Sequence, residues 1–493
     1  MVGTFAITVA TARVIGPRRL GYFNFVYWMV TIAGSLAAVG LPLTTLKYMS
    51  EYLGQGKQEI ANAVFRQALK LQTLISIAIS SIAVVAVLKL TLPEYRVISL
   101  FLALSIIPQM ITFIPSQANV AAEDLRANTK GAAIGTVVNV TVVTLSLALG
   151  WDLLGIAIGV LLYRCAEMVA KLVPVLQKTQ NGSVVPVPPE LNRRMFRFSR
   201  QGAVLLLLQL VVWDRSDMIF LKLLQSDTRQ LAFFSVPFSL VERLLLIPQP
   251  FVSALGASQM AESGRNKDKM VQFTGAASVY VLLLALPLLV GGALLSGPAI
   301  RLIYGLQYLP AVSVFAFAAL FGIPKSVLGP AQNVLFSNED LGFIIRWGVF
   351  AGVIDILLDL LLIPHHAALG AAIANGVGQA IAAAGIWTRA VKRFGVPINT
   401  RAVAKIFAAT LLMAGAVTTS RILVSPVSVQ LLTSAIVGAT VYFLLIRALR
   451  VLSDTDRNRL AVLRHNVPKR LHGTFDVLAN FIAGTCADEA AVM

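Results

Sequence analysis

Ionisable residues recur inside long apolar runs of this chain: Arg164, Glu167, Asp214, Arg215, Asp217, Glu242, Arg243, Lys325, Asp355 and Asp359. At membrane depth each such group costs about 3 kcal/mol or more unless it is paired or hydrated, so together they mark a polar cavity. The four cations Arg164, Arg215, Arg243 and Lys325 suit phosphate, because Arg donates bidentate hydrogen bonds to its oxygens and Lys adds a point charge. They are the candidate substrate-binding residues. Asp214 and Asp217 stand one helical turn apart, as do Asp355 and Asp359. Like charges that close raise at least one pKa, which suits a proton carrier or a cation site. These four acids, with Glu242, are the candidate ion-coupling residues. The competing reading is purely structural, with each acid paired to an arginine on a neighbouring helix. For Arg164, Glu167 and Lys171, on one helical face, it has the carboxylate bridging both cations. No residue pattern points to a catalytic centre, and no cofactor or metal is expected. Cys165 and Cys486 are too few for a disulfide framework or a thiolate site, His365 and His366 fall in a loop, and His465 and His472 fall in the tail.

The elements that must position these groups are helices in a bilayer. With 57% hydrophobic and 13% charged residues and a mean hydropathy of +0.78, a 493-residue chain is an all-α polytopic membrane protein. Runs long enough to cross a core about 30 Å thick recur along it, and we count about fourteen. The net charge of +18 then reflects cytoplasmic loops and anionic headgroups, not nucleic acid.

The chain also contains its own internal homologue. Ile107-Pro108 leading to Glu123-Asp124-Leu125 recurs, at the same spacing, as Ile323-Pro324 leading to Glu339-Asp340-Leu341. Leu20, Phe23 and Glu51 fall opposite Leu231, Phe234 and Glu262, and Leu154-Gly155-Ile156-Ala157-Ile158 falls opposite Leu369-Gly370-Ala371-Ala372-Ile373. Three matches in register mean two tandem copies of one six-helix unit. An even helix count makes the copies parallel repeats, related by a pseudo-two-fold axis along the membrane normal, with the substrate path between them. The expected organisation is an N-lobe of helices 1–6 over residues 1–180, a Pro- and Arg-rich cytoplasmic linker at 181–198, a C-lobe of helices 7–12 over 199–394, two further helices at 395–450 and a cytoplasmic tail at 451–493. Most of the 41 basic residues then fall in cytoplasmic loops, which puts both termini inside. Met1 to Val14 gives a first helix of only about 21 Å, short for a span. In the tail, Leu471, Phe475, Leu478 and Ile482 at helical spacing fit either an interfacial helix or a disordered segment.

The register shows where the copies differ. Opposite Lys325 and Asp355 stand Gln109 and Asn139, and opposite Glu242 and Arg243 stand Thr31 and Ile32. Charge is concentrated in the second copy, as expected for a symmetric scaffold specialised asymmetrically. Prolines inside the runs, including Pro42, Pro108, Pro115, Pro237, Pro287, Pro324 and Pro330, bend helices by removing a backbone hydrogen bond.

Ala12-Arg13-Val14-Ile15-Gly16-Pro17, Leu20-Gly21-Tyr22-Phe23, Gly40-Leu41-Pro42, Lys47-Tyr48 and Glu51-Tyr52-Leu53-Gly54 resemble the opening of oligosaccharide and polysaccharide flippases of the Wzx type, in the multidrug/oligosaccharidyl-lipid/polysaccharide (MOP) exporter superfamily. Trp213-Asp214-Arg215-Ser216-Asp217 is similar to the start of that family's second lobe. The resemblance implies two six-helix lobes, alternating access, ion coupling through H+ or Na+, and export of a polyprenyl-diphosphate-linked oligosaccharide across the plasma (inner) membrane. Contact with a polysaccharide polymerase or with glycosyltransferases is a further expectation. No Gly-rich nucleotide loop occurs, in keeping with ion-driven transport. A peptidoglycan-precursor flippase is the nearest alternative, and a multidrug or cation antiporter is a more distant one. A glycosyltransferase would need a large extramembrane loop carrying carboxylates, and none is long enough here.

Overall fold

The structure, a computed structural model, describes residues 2–38, 40–122, 124–180, 185–213, 216–248, 267–338 and 340–451. The regular elements assigned there are helical: α1 Val2–Ala37, α2 Leu41–Gly54, α3 Gln58–Leu90, α4 Arg96–Leu104, α5 Ile106–Ala121, α6 Leu125–Ala148, α7 Asp152–Gln180, α8 Pro189–Trp213, α9 Asp217–Leu224, α10 Arg229–Leu245, α11 Lys267–Leu294, α12 Ser296–Ile303, α13 Ala311–Ser337, α14 Leu341–Phe394, α15 Thr400–Leu423 and α16 Val427–Ala448, with single 3-10 turns at Pro93–Tyr95 and Leu306–Tyr308. Nine helical segments among the described residues are long and apolar enough to cross a bilayer. The expected all-α, multi-pass architecture is therefore what the chain adopts.

Several expected helices are broken, each for a local reason. α1 bends at Gly16, whose φ of 78° favours glycine and which precedes Pro17. The next expected helix stops at Ala37 and restarts at Leu41, where Gly40 is left-handed and Pro42 opens the new turn. A Cβ on Gly40 would meet the carbonyl oxygen of Ser199 at 2.3 Å, so α2 begins where it packs on α8. The stretch expected as a Pro- and Arg-rich linker is helical from Pro189 onward. α14, by contrast, is assigned as one helix of 54 residues but is interrupted at Ala367, with φ 46° and ψ −125°.

The chain divides into two compact units: Met1–Met218 with Ser226–Ala232, and Ile219–Gln225 with Phe233–Met493. In the first, Leu191 and Met195 of α8 join a core with Leu41, Tyr48 and Met49 of α2, Val64, Phe65 and Ala68 of α3, Ile114 and Ala118 of α5 and Val175 of α7. In the second, Ile406, Ala409 and Met413 of α15 and Tyr442 and Ile446 of α16 pack on Leu282, Leu283 and Leu286 of α11. The Tyr442 hydroxyl donates to the Leu283 carbonyl at 2.7 Å. The two helices after the second copy are thus anchored on α11.

Each unit contains the same close-packed hairpin. In α6–α7, a Cβ on Gly155 would lie 2.0 Å from the Ser146 Cβ, and one on Gly135 would lie 2.8 Å from the Tyr163 ring. In α14, a Cβ on Gly378 would lie 2.9 Å from the Asp355 Cβ, and one on Gly385 would lie 1.8 Å from Nε1 of Trp347. These pairings run in opposite directions along the chain, so the two halves of α14 fold back on each other about Ala367. Small residues let helix backbones approach where no hydrophobic force drives them together in lipid. Gly385→Leu would displace Trp347 from the Ile381 carbonyl to which it donates at 2.9 Å. Overpacking of this kind costs about 1–3 kcal/mol or more. A lowered melting temperature of the detergent-solubilised protein is the expected outcome, and an unchanged one would refute the close approach.

The polar loop of the internal repeat supplies an ion-paired aspartate in both units, and in the first that aspartate also caps a helix. Asp124 caps α6 by accepting from the Ala127 backbone N–H at 3.1 Å, and it pairs with Lys178 at 2.7 Å. Its counterpart Asp340 pairs with Arg389 at 2.8 Å and Arg393 at 3.0 Å. Both carboxyls are held below the ordinary aspartate range, Asp124 first by the Lys178 hydrogen bond and then by the Ala127 N–H, Asp340 first by the Arg389 hydrogen bond. A depressed folded pKa gives stability that is present above the unfolded value near 3.9 and lost as pH falls through the folded one. Below about pH 4, wild-type melting should therefore fall more steeply than that of Asp340→Asn. At neutral pH the two should differ by about 1 kcal/mol at most, since the pair is partly exposed.

Candidate functional site

The bridge of Glu167 between two cations, which the competing structural reading requires, does not form. Glu167 pairs with Lys171 at 2.6 Å, and Arg164, only 5% exposed, turns the other way. Its Nη1 donates to the Ser105 hydroxyl at 2.8 Å and to the Ser105 carbonyl at 3.4 Å, and its Nη2 donates to the Thr31 hydroxyl at 3.1 Å. The guanidinium carbon stands 5.3 Å from the centre of the Tyr27 ring. Ser105 is available because the backbone breaks there, between α4 and α5. Gln109, one turn further, donates to the Thr31 carbonyl at 3.4 Å, closing a node of three helices. Among the described residues no carboxylate lies within ion-pairing distance of Arg164, so its charge is met only by neutral oxygens and a ring face.

The second unit builds a corresponding node from the register-matched helices. Glu242 of α10, Lys325 of α13 and Asn375 and Gln379 of α14 line one cavity of about 30 Å³, with Phe238, Phe321 and Gly376 among its apolar walls. That is room for about one or two ordered waters. Gln379 donates to the Asn375 side-chain carbonyl at 2.9 Å. Glu242 and Lys325 are opposite Thr31 and Gln109 in the repeat. Continuing the match of Leu154 with Leu369 sets Arg164 opposite Gln379. The node is therefore repeated with its cation moved from one helix to another. Asn375 and Gln379 escape sequence reasoning because neutral amides carry no obvious cost in an apolar run, although that same continuation of the register points to Gln379.

Of the remaining candidates, Asp355 and Asp359 are 2% and 1% exposed on one face of α14, each with a carboxylate oxygen within 4.8 Å of the other's. Asp217 is fully buried and opens α9, a helix whose residues from Ile219 onward belong to the second unit. There Gln225 donates to the Ile363 carbonyl at 2.7 Å. Arg243 is half-buried, does not line the cavity, and lies within electrostatic range of Tyr304. Asp214 and Arg215 lie outside the described residues.

Broken, glycine-packed helices in two units, with buried ionisable groups held inside them, define the fold that the comparisons with known proteins match. The chain shares its fold with transporters of the MOP superfamily. It belongs to the family described as polysaccharide biosynthesis protein, whose model matches residues 4–258. Among solved structures it resembles the lipid II flippase MurJ in an inward closed conformation, with 14% identity, 90% of this chain and 95% of that chain covered and a TM-score of 0.68. It also resembles an inward-facing multidrug resistance MATE family transporter of the MOP superfamily, with 14% identity, 80% and 94% covered and a TM-score of 0.67. A MOP superfamily transporter from Pyrococcus furiosus gives 14% identity, 80% and 92% covered and a TM-score of 0.59. Among curated proteins, no sequence matches the chain.

Proposed function

We propose that this protein is a Wzx-type flippase that carries a polyprenyl-diphosphate-linked oligosaccharide from the inner to the outer leaflet by ion-coupled alternating access. The observation that carries the reading is Arg164, a buried cation with neutral partners. A guanidinium held by Thr31 and Ser105 is fixed in orientation yet keeps its charge, which favours a bidentate anion such as diphosphate. Arg215, Arg243 and Lys325 would meet the same headgroup at other stages of the cycle, and the prenyl chain would stay in lipid. Asp214, Asp217, Glu242, Asp355 and Asp359 would carry the coupling ion, H+ or Na+. The family's description supports a polysaccharide precursor as cargo.

Deleting the gene in its host and profiling lipid-linked saccharides on the inner leaflet tests this. A polyprenyl-diphosphate oligosaccharide should accumulate there, and re-expression should clear it. Accumulation of peptidoglycan precursor would replace this reading with the alternative flippase. No accumulation of either would overturn both.

A further inference from the structure

The segment between the two copies has a face that flippase function leaves unexplained. In α8, Leu191, Met195 and Ser199 recur every fourth residue and are buried, the first two within the first unit's core. Arg193, Phe196, Arg197 and Arg200 occupy the opposite stripe at helical spacing, and all four are exposed, Phe196 by 73%. Among the described residues, Arg194 is paired with Glu51 at 3.6 Å, but no carboxylate pairs with Arg193, Arg197 or Arg200. On the neighbouring α2, exposed Lys47 stands 4.1 Å from the centre of the Phe198 ring and adds to the same positive field. An aromatic ring ringed by unneutralised arginines is poorly placed in water and well placed at a headgroup boundary.

Position along the helix points to the same surroundings. α8 continues without a break from this stripe into the apolar run Val204-Leu205-Leu206-Leu207-Leu208. Arg193 to Arg200 spans about 10 Å of helix axis, comparable to the polar layer on one side of a bilayer. With the apolar run entering the bilayer, the arginines fall at headgroup depth, where guanidinium groups grip phosphate in pairs of hydrogen bonds.

We propose that this face of α8 binds the headgroups of anionic phospholipids in the surrounding leaflet, with Phe196 inserted among the acyl chains and Arg193, Arg197 and Arg200 on the phosphates. A zwitterionic lipid offers the same phosphate but brings its own cation. The preference is thus for net negative headgroups, and it weakens with salt.

The experiment uses the purified full-length protein in mild detergent, with phosphatidylglycerol or phosphatidylcholine added in turn and retained lipid counted by native mass spectrometry. The wild type should retain phosphatidylglycerol about tenfold better than phosphatidylcholine. In R193Q/R197Q/R200Q the two should be retained within about twofold, with unchanged helical content. Raising salt to about 0.5 M should erase the wild-type preference without any mutation, which keeps the test independent of how the variant folds. Equal retention of both lipids by the wild type, a preference that survives the triple substitution, or one that survives salt would overturn the proposal. So would displacement by a soluble prenyl diphosphate but not by phosphatidylglycerol, which would give the face to the transported lipid instead.

Discussion

Arg164→Gln should nearly abolish export while leaving the protein folded in the membrane. A charge-assisted hydrogen bond contributes about 1.5–3 kcal/mol, so losing a bidentate grip on diphosphate should cut transport by about 100-fold or more. Stability should move the other way or stay level. The native guanidinium is buried with Ser105 and Thr31 as its hydrogen-bonding partners, neither of them an acid, and a neutral amide removes an uncompensated charge at membrane depth. Arg164→Lys keeps the charge but not the fork, and should retain partial activity. Flux of lipid-linked oligosaccharide in proteoliposomes, measured beside thermal unfolding of the same samples, separates the two effects. Wild-type flux in Arg164→Gln would remove Arg164 from the substrate path, and loss of both flux and folding would reduce it to a structural group.

Asp355→Asn and Asp359→Asn should uncouple transport from the ion gradient. The two carboxylates share a buried face of α14 with oxygens within 4.8 Å of each other. Two negative charges so close in a low dielectric demand a proton or a cation between them, and that demand is what a gradient can exploit. Either substitution removes it, so flux driven by an imposed gradient should fall about tenfold or more toward the passive rate. Double substitution should add little to the loss, because either single change already breaks the pair. Imposing proton and sodium gradients separately on the wild type identifies the ion. An unchanged gradient response in both variants would take the pair out of the coupling mechanism.

How much of this was legible in the sequence depends on the range of the interaction. The duplication was readable, and the structure gives it physical content: Asp124 and Asp340 reach the ends of the same helical hairpins, through Lys178 in one unit and Arg393 in the other. The hairpin spans were readable too, because glycines at close crossings sit in long apolar runs. Arg164 was located, but its partners were not. Spacing along one helix favoured Glu167, whereas Lys171 takes that carboxylate and the partners of Arg164 come from Thr31 and Ser105, remote in sequence. Helix breaks at Ser105 and near Gly40 were missed because apolarity continues across them, although Gly40 and Pro42 mark the second one locally. Asn375 and Gln379 were missed because hydropathy registers charge far more strongly than a satisfied amide.

The matched nodes give this molecule an internal control of a kind most proteins lack. Thr31, Gln109 and Arg164 on one side, and Glu242, Lys325 and Gln379 on the other, are the same three positions filled differently. Each half is therefore a naturally tolerated answer to the other's mutagenesis. Arg164→Gln paired with Gln109→Lys writes the second half's cation arrangement into the first, at sites where the backbone has already accommodated both chemistries. A transporter rebuilt with two like nodes would show whether direction of transport depends on the halves being different.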